Sequence, residues 1–114
     1  MENKQILLPP LPENGKVTKA RKDEAMYILA KMTGNTIANP SDKWYSPEHD
    51  KEWQLAEIRK YGTVRICKDK TSGHWMVTTY GQVNNVSGYF GADINTGEMI
   101  SQDAAQEFYH KSRA

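Results

Sequence analysis

The hydrophobic period of this chain changes once, at Gly62, and that change limits the folds open to it. Before Gly62 the apolar residues recur at helical spacing; after it they alternate with period two. Ala25, Ile28, Leu29 and Met32 fall at i, i+3, i+4 and i+7 behind Thr18, a good N-cap residue, and Gly34 stops the run. Ser46 as cap, Pro47 at the first helical position and Glu48 and Asp50 in the first turn announce a second helix that ends near Gly62. Its apolar residues, Trp53, Leu55, Ala56, Ile58 and Tyr61, spread around more than one face, which predicts a partly exposed insertion.

Beyond Gly62, three stretches read as strands: Val64 and Ile66 with Arg65 and Lys68 between and beyond them, then Trp75 to Tyr80, then Tyr89 to Ile94. Lys70-Thr71-Ser72-Gly73 and Asn84-Asn85 have the composition of reversals, and Asn95-Thr96-Gly97 leads to a short Met99-Ile100 stretch. Ser101 caps a final helix that turns Ala104, Ala105, Phe108 and Tyr109 towards the core. The order predicts an α+β domain over residues 18–114, with two N-terminal helices, a curved antiparallel meander of three to four strands and a C-terminal helix. The helices are expected to cover one face of that sheet. Pro9, Pro10, Pro12 and Gly15 make residues 1–17 an extended arm. Ile6, Leu7, Leu8 and Leu11 are too apolar for a solvated linker, so the arm is expected on its own core in preference to a partner.

Length and charge exclude several classes. A chain of 114 residues has no room for a two-domain enzyme with an interdomain cleft. Fifteen Lys and Arg against fourteen Asp and Glu leave a net charge of +1, too little to recruit nucleic acid or an anionic membrane by long-range field. The single Cys67 rules out an intramolecular disulfide and a multi-cysteine zinc site, and it suits a reducing compartment. The sequence carries neither a signal-peptide pattern nor an apolar run of about 18 residues, so a cytoplasmic location is expected.

Chemistry-bearing residues are sparse. His49, His74 and His110 lack the spacing of a zinc motif, and no metal or cofactor is expected. Cys67, His74 and Asp93 supply the residue types of a thiol nucleophile, base and orienter, but Cys67 sits inside a strand where a structural thiol is commoner, so no catalytic residue is expected. Trp44, Tyr45 and Trp53 lie within ten residues of one another among Asp50, Glu52 and other charges, the mixture of aromatic anchors and charges found at protein interfaces. The two tryptophans could equally roof the sheet, and the pattern leaves both uses open. Tyr80 and Tyr89 are second candidates on the exposed face of the sheet. Lys16, Lys19, Arg21 and Lys22 form a basic cluster that, with those tyrosines, would suit nucleic acid, although Asp23 and Glu24 dilute it.

The run Gly73-His74-Trp75-Met76-Val77, followed by Gly88-Tyr89-Phe90-Gly91-Ala92-Asp93-Ile94-Asn95-Thr96-Gly97-Glu98-Met99-Ile100, resembles the strand pair that ends PepSY-like and NTF2-fold immunity domains. The helix over Asp23–Ala30 is similar to their opening helix. The segment over residues 35–60 and the helix after Ser101 depart from the short PepSY pattern, leaving the immunity type ahead. That resemblance implies a cystatin-like α+β fold and a small inhibitor that binds a toxin or enzyme and blocks it. The expected function is therefore non-enzymatic protein binding of the inhibitor or immunity kind, with Trp44, Tyr45, Asp50, Glu52, Trp53, Tyr80 and Tyr89 as contact residues. The alternative is a nucleic-acid-binding or regulatory module.

Overall fold

Thr18 starts the first helix through a side-chain cap: its Oγ1 accepts from the Arg21 N–H at 3.2 Å, and α1 runs over Lys19–Met32. The structure, a computed structural model, describes residues 5–35 and 49–112. Helix α2 (Asp50–Tyr61) starts behind His49 and ends at Gly62, whose left-handed backbone (φ 65°) returns its N–H to the Ile58 carbonyl. Ser46, Pro47 and Glu48 lie outside the described residues. Strands β1 (Val64–Lys68), β2 (Trp75–Val83) and β3 (Val86–Asp93) follow, then α3 (Gln102–Lys111), capped by Ser101 Oγ on the Ala104 N–H.

The three strands form one curved, open antiparallel sheet in the order β1-β2-β3, a meander. Asn84 and Asn85, both at positive φ (50° and 67°), make the two-residue reversal between β2 and β3, and their backbone twist matches that of the flanking strands. The fourth stretch is shorter than a strand. Met99 bridges Ala92 and the Ile100 N–H reaches the Gly91 carbonyl at 2.9 Å, continuing the sheet beyond β3 by a single step. The arm closes that edge: the Met99 N–H donates to the Gln5 carbonyl, the Leu7 N–H donates to the Gly97 carbonyl at 2.7 Å, and Leu8 is buried in the core.

Both faces of the sheet are covered, which corrects the expectation of helices on one face. Val64, Val77 and Ala92 share one face and pack with Ala25, Met26, Leu29 and Ala30 of α1 and with Leu55 and Ile58 of α2. The opposite parity, Arg65, Cys67, Met76, Thr78 and Tyr89, turns towards α3, whose Ala105 is fully buried. Met76, Val77, Thr78 and Thr79 are buried in succession, as a strand covered on both sides requires. The face on which Tyr80 and Tyr89 were expected to be exposed is thus covered in part by α3, with Thr78 buried beneath it.

Helix α2 is partly exposed, as expected, with Ala56 and Tyr61 at the surface, but its other face belongs to the core. Its buried stripe is Asp50, Gln54, Leu55 and Ile58, and two polar members dilute the apolar period by which it would be recognised. No helix among the described residues is long and apolar enough to cross a membrane.

Candidate functional site

The structure describes five of the seven expected contact residues. Trp44 and Tyr45 lie outside the described residues. Asp50 is only 5% exposed, so its expected role as an electrostatic partner on the surface is corrected. Its carboxylate accepts from the Tyr27 hydroxyl at 2.5 Å and from Gln54 at 3.4 Å, and it pairs with Lys31 at 3.0 Å, tying α2 to α1. Burial alone would raise this carboxyl, but the bonds from Tyr27, Lys31 and Gln54, with the charge of Lys31, outweigh it and hold the group below its ordinary value. Desolvation, and then the bond to Asp50, raise the Tyr27 hydroxyl. Glu52 is exposed on α2, and Trp53 is half-buried.

Tyr80 and Tyr89 are brought together. They pair directly across β2 and β3, with ring centroids 5.1 Å apart and planes at 70°. Tyr89 also meets Tyr109 at 5.1 Å and His110 at 5.3 Å, so the row of rings continues onto α3. The Arg65 guanidinium lies 4.0 Å from the Tyr109 ring centroid, and its Nη1 donates to the Tyr109 and Ser112 carbonyls at 3.0 and 3.3 Å. This side chain closes the C-terminal end of α3 while holding the tyrosine in place. At the outer end of the row Tyr80 is 53% exposed, and Val86 beside the hairpin turn is 52% exposed.

One property of this hairpin is legible in the sequence and singles it out. From Trp75 to Ala92 no residue is Asp, Glu, Lys, Arg or His, although a quarter of the chain is charged. Over Tyr80–Tyr89 the composition is Tyr, Gly, Gln, Val, Asn and Ser. Depletion of charge with enrichment in tyrosine is the mark of an interface centre, and Tyr, Ser, Gly and Asn dominate binding loops. The absence of charge over this run would have pointed to Val86 as well as the tyrosines. Tyr109 and His110 join only because α3 folds onto the second face.

Two members of the basic cluster, Arg21 and Lys22, are engaged in internal contacts at the other end of α1, where Lys19 is exposed. Arg21 Nε donates to the Ile94 carbonyl at 2.7 Å; desolvation lowers its pKa and the charge of Asp93 opposes that shift. Lys22 Nζ stands 3.6 Å from the Trp75 ring centroid, and Lys19 pairs with Asp23, which also meets Arg59. The C-terminal end of α1 lies instead at the tyrosines: the Gln82 N–H donates to the Thr33 carbonyl, and Asn35 Nδ2 donates to the Tyr80 carbonyl at 2.8 Å. Fourteen helical residues at about 1.5 Å each keep the two groups roughly 20 Å apart.

His74 and Asp93 share a hydrogen bond of 2.7 Å from Nδ1, and the same carboxylate accepts from the Asn95 and Thr96 N–H groups. The pair thereby braces the turn on which the arm rests. Cys67 is not part of it: His74 lines a cavity of about 190 Å³ under Leu11–Gly15, whereas Cys67 lines another of about 350 Å³ with Phe108 and Lys111. Among the described residues no three His, Cys, Asp or Glu side chains group as metal ligands. Comparison with protein-family models, with curated proteins and with solved structures finds no match to this chain.

Proposed function

We propose that this chain is a non-enzymatic protein-binding domain that inhibits or neutralises its partner in the cytoplasm, and that the β2–β3 hairpin is its docking surface. The observation that carries this reading is the uncharged run Trp75–Ala92, which exposes Tyr80 and Val86 towards its hairpin turn and is backed by Tyr89, Tyr109 and Arg65. The two-asparagine turn and the α3 clamp hold the rings in place before any partner arrives, so little entropy is lost on docking. A standard interface of about 1,600 Å² is within reach of such a surface, and one or two buried rings would supply most of its energy. A nucleic-acid partner is disfavoured because the cations that would meet phosphates lie at the far end of α1 from the tyrosines.

The test is cross-linked capture from the native host with wild-type protein and with Val86→Asp, Tyr80→Ala and Lys16→Ala/Lys19→Ala variants, each checked for folding by circular dichroism. The protein captured by the wild type is then purified, and its affinity and activity are measured. Tyr80→Ala is expected to weaken binding about 30-fold and Val86→Asp to abolish it, while the lysine variant and a rise to physiological salt change little. The partner's own activity should fall at one equivalent of the chain. Loss of binding with salt and with the lysine changes would instead favour the nucleic-acid reading.

A further inference from the structure

The two edges of the sheet are treated differently. Beyond β3 the edge is closed by Met99 and then by Gln5 and Ile6 of the arm, so the fold itself already uses an extended segment to complete a sheet edge through main-chain bonds. Strand β1 has β2 on one side and no strand on the other among the described residues. Its five residues span about 17 Å, enough for a short added strand.

The ends of that edge are furnished for a ligand. Tyr61, three residues before β1, is 61% exposed, with Lys60 Nζ 5.1 Å from its ring centroid. At the other end lies the 350 Å³ cavity, where Cys67 and Phe108 offer apolar surface and Lys70 and Lys111 supply cations. The adjacent Lys68 turns to the opposite face of the strand, its Nζ 5.8 Å from the Trp75 ring centroid. Asp69, the one acid lining the cavity, is engaged by the Thr71 N–H and the Ser72 hydroxyl, and Lys111 is paired with Glu107 at 3.0 Å. Lys60, Lys68 and Lys70 enter no ion pair with another described residue. Arg65, in the middle of the strand, is folded onto Tyr109 and leaves the edge clear of its charge.

We propose that the outer edge of β1 receives an extended acidic segment of a partner protein as an added strand, with its carboxylates on Lys60, Lys68 and Lys70 and one apolar side chain in the Cys67–Phe108 cavity. Charge selects this occupant over a second copy of the chain. Two β1 edges brought together would face lysine with lysine, whereas a segment rich in Glu or Asp is complemented along its length. The proposal does not depend on the hairpin surface, since the two surfaces involve different residues.

The experiment uses the full-length protein and a fluorescein-labelled octapeptide alternating glutamate with valine, followed by fluorescence anisotropy and by amide exchange of the β1 residues. The expected result is binding at least tenfold tighter than that of the lysine–valine counterpart, slowed exchange within Val64–Lys68, and a tenfold loss in Lys68→Glu/Lys70→Glu. N-methylating alternate amides of the peptide, which leaves its charge intact, should also cost tenfold because strand addition needs those donors. Equal affinity for the N-methylated peptide would reduce the site to simple charge attraction and overturn the proposal. So would absence of binding up to about 1 mM, or dimerisation of the free chain that protects β1. Val86→Asp should leave peptide binding unchanged, so loss of the hairpin's partner and loss of this strand site are read separately.

Discussion

At the scale of single residues, the polar groups that matter most are buried ones. Asp50 is held below its ordinary value of 3.8 by Tyr27, Lys31 and Gln54 despite its burial. A carboxyl depressed in this way contributes its full stability above the unfolded value and loses it as pH falls through the folded one. Wild-type protein should therefore weaken progressively below about pH 4. Asp50→Asn should be less stable by about 1–3 kcal/mol at neutral pH, and the gap should narrow in acid, as read from urea midpoints at stepped pH. Gly97 is a second such position. At φ 80° it sits in the left-handed region, and an added Cβ would collide with the Leu8 carbonyl. Gly97→Ala is expected to cost about 1–3 kcal/mol and to free the arm for proteolysis. Thr18, Gly34, Asn84-Asn85 and Ser101 were readable because a cap or turn is decided by its immediate neighbours. The role of Asp50 was not, because two of its three partners come from α1, across the undescribed connection.

At the scale of elements, α3 is the piece whose place is least evident from its own residues. Its amphipathic pattern marks a face to be buried but does not say which side of the sheet will bury it. Arg65 helps settle that choice by stacking on Tyr109 and donating to the last carbonyls of the helix. Arg65→Gln should loosen the end of α3 by about 1–2 kcal/mol, seen as faster amide exchange over Phe108–Ser112 with β2 unaffected. Helix α2 shows the converse difficulty: a buried stripe that is half polar escapes a reading based on apolar period alone, although it carries Ile58 into the centre of the core.

For the molecule as a whole, the arm is part of the domain. Leu8 sits in the same cluster as Leu29, Ile58 and Ile94, so the first described residues close the core that the helices begin. Leu8→Ala is expected to lower the unfolding free energy by about 2–4 kcal/mol in chemical denaturation, a core cost rather than that of trimming a tail. A small domain has little apolar surface to spare, and this explains why a proline-rich segment is drawn onto it. The same scarcity makes the uncharged, partly exposed hairpin informative, since rings left at the surface here are rings the core did not take up.

From residues alone the chain declares its α+β class, its three helices, its meander of strands and the N-caps of α1 and α3, because period, turn chemistry and capping act over a few residues. It does not declare the start of α2, which lies at His49 and not at Ser46. The tertiary structure decided that the sheet is covered on both faces, that Asp50 faces inward, that Tyr80 and Tyr89 continue into Tyr109 and His110, and that one sheet edge is closed while the other has no strand beside it among the described residues. Those outcomes depend on which surfaces meet across long stretches of chain. Packing settles that choice by burying the most apolar area with the fewest unpaired polar groups.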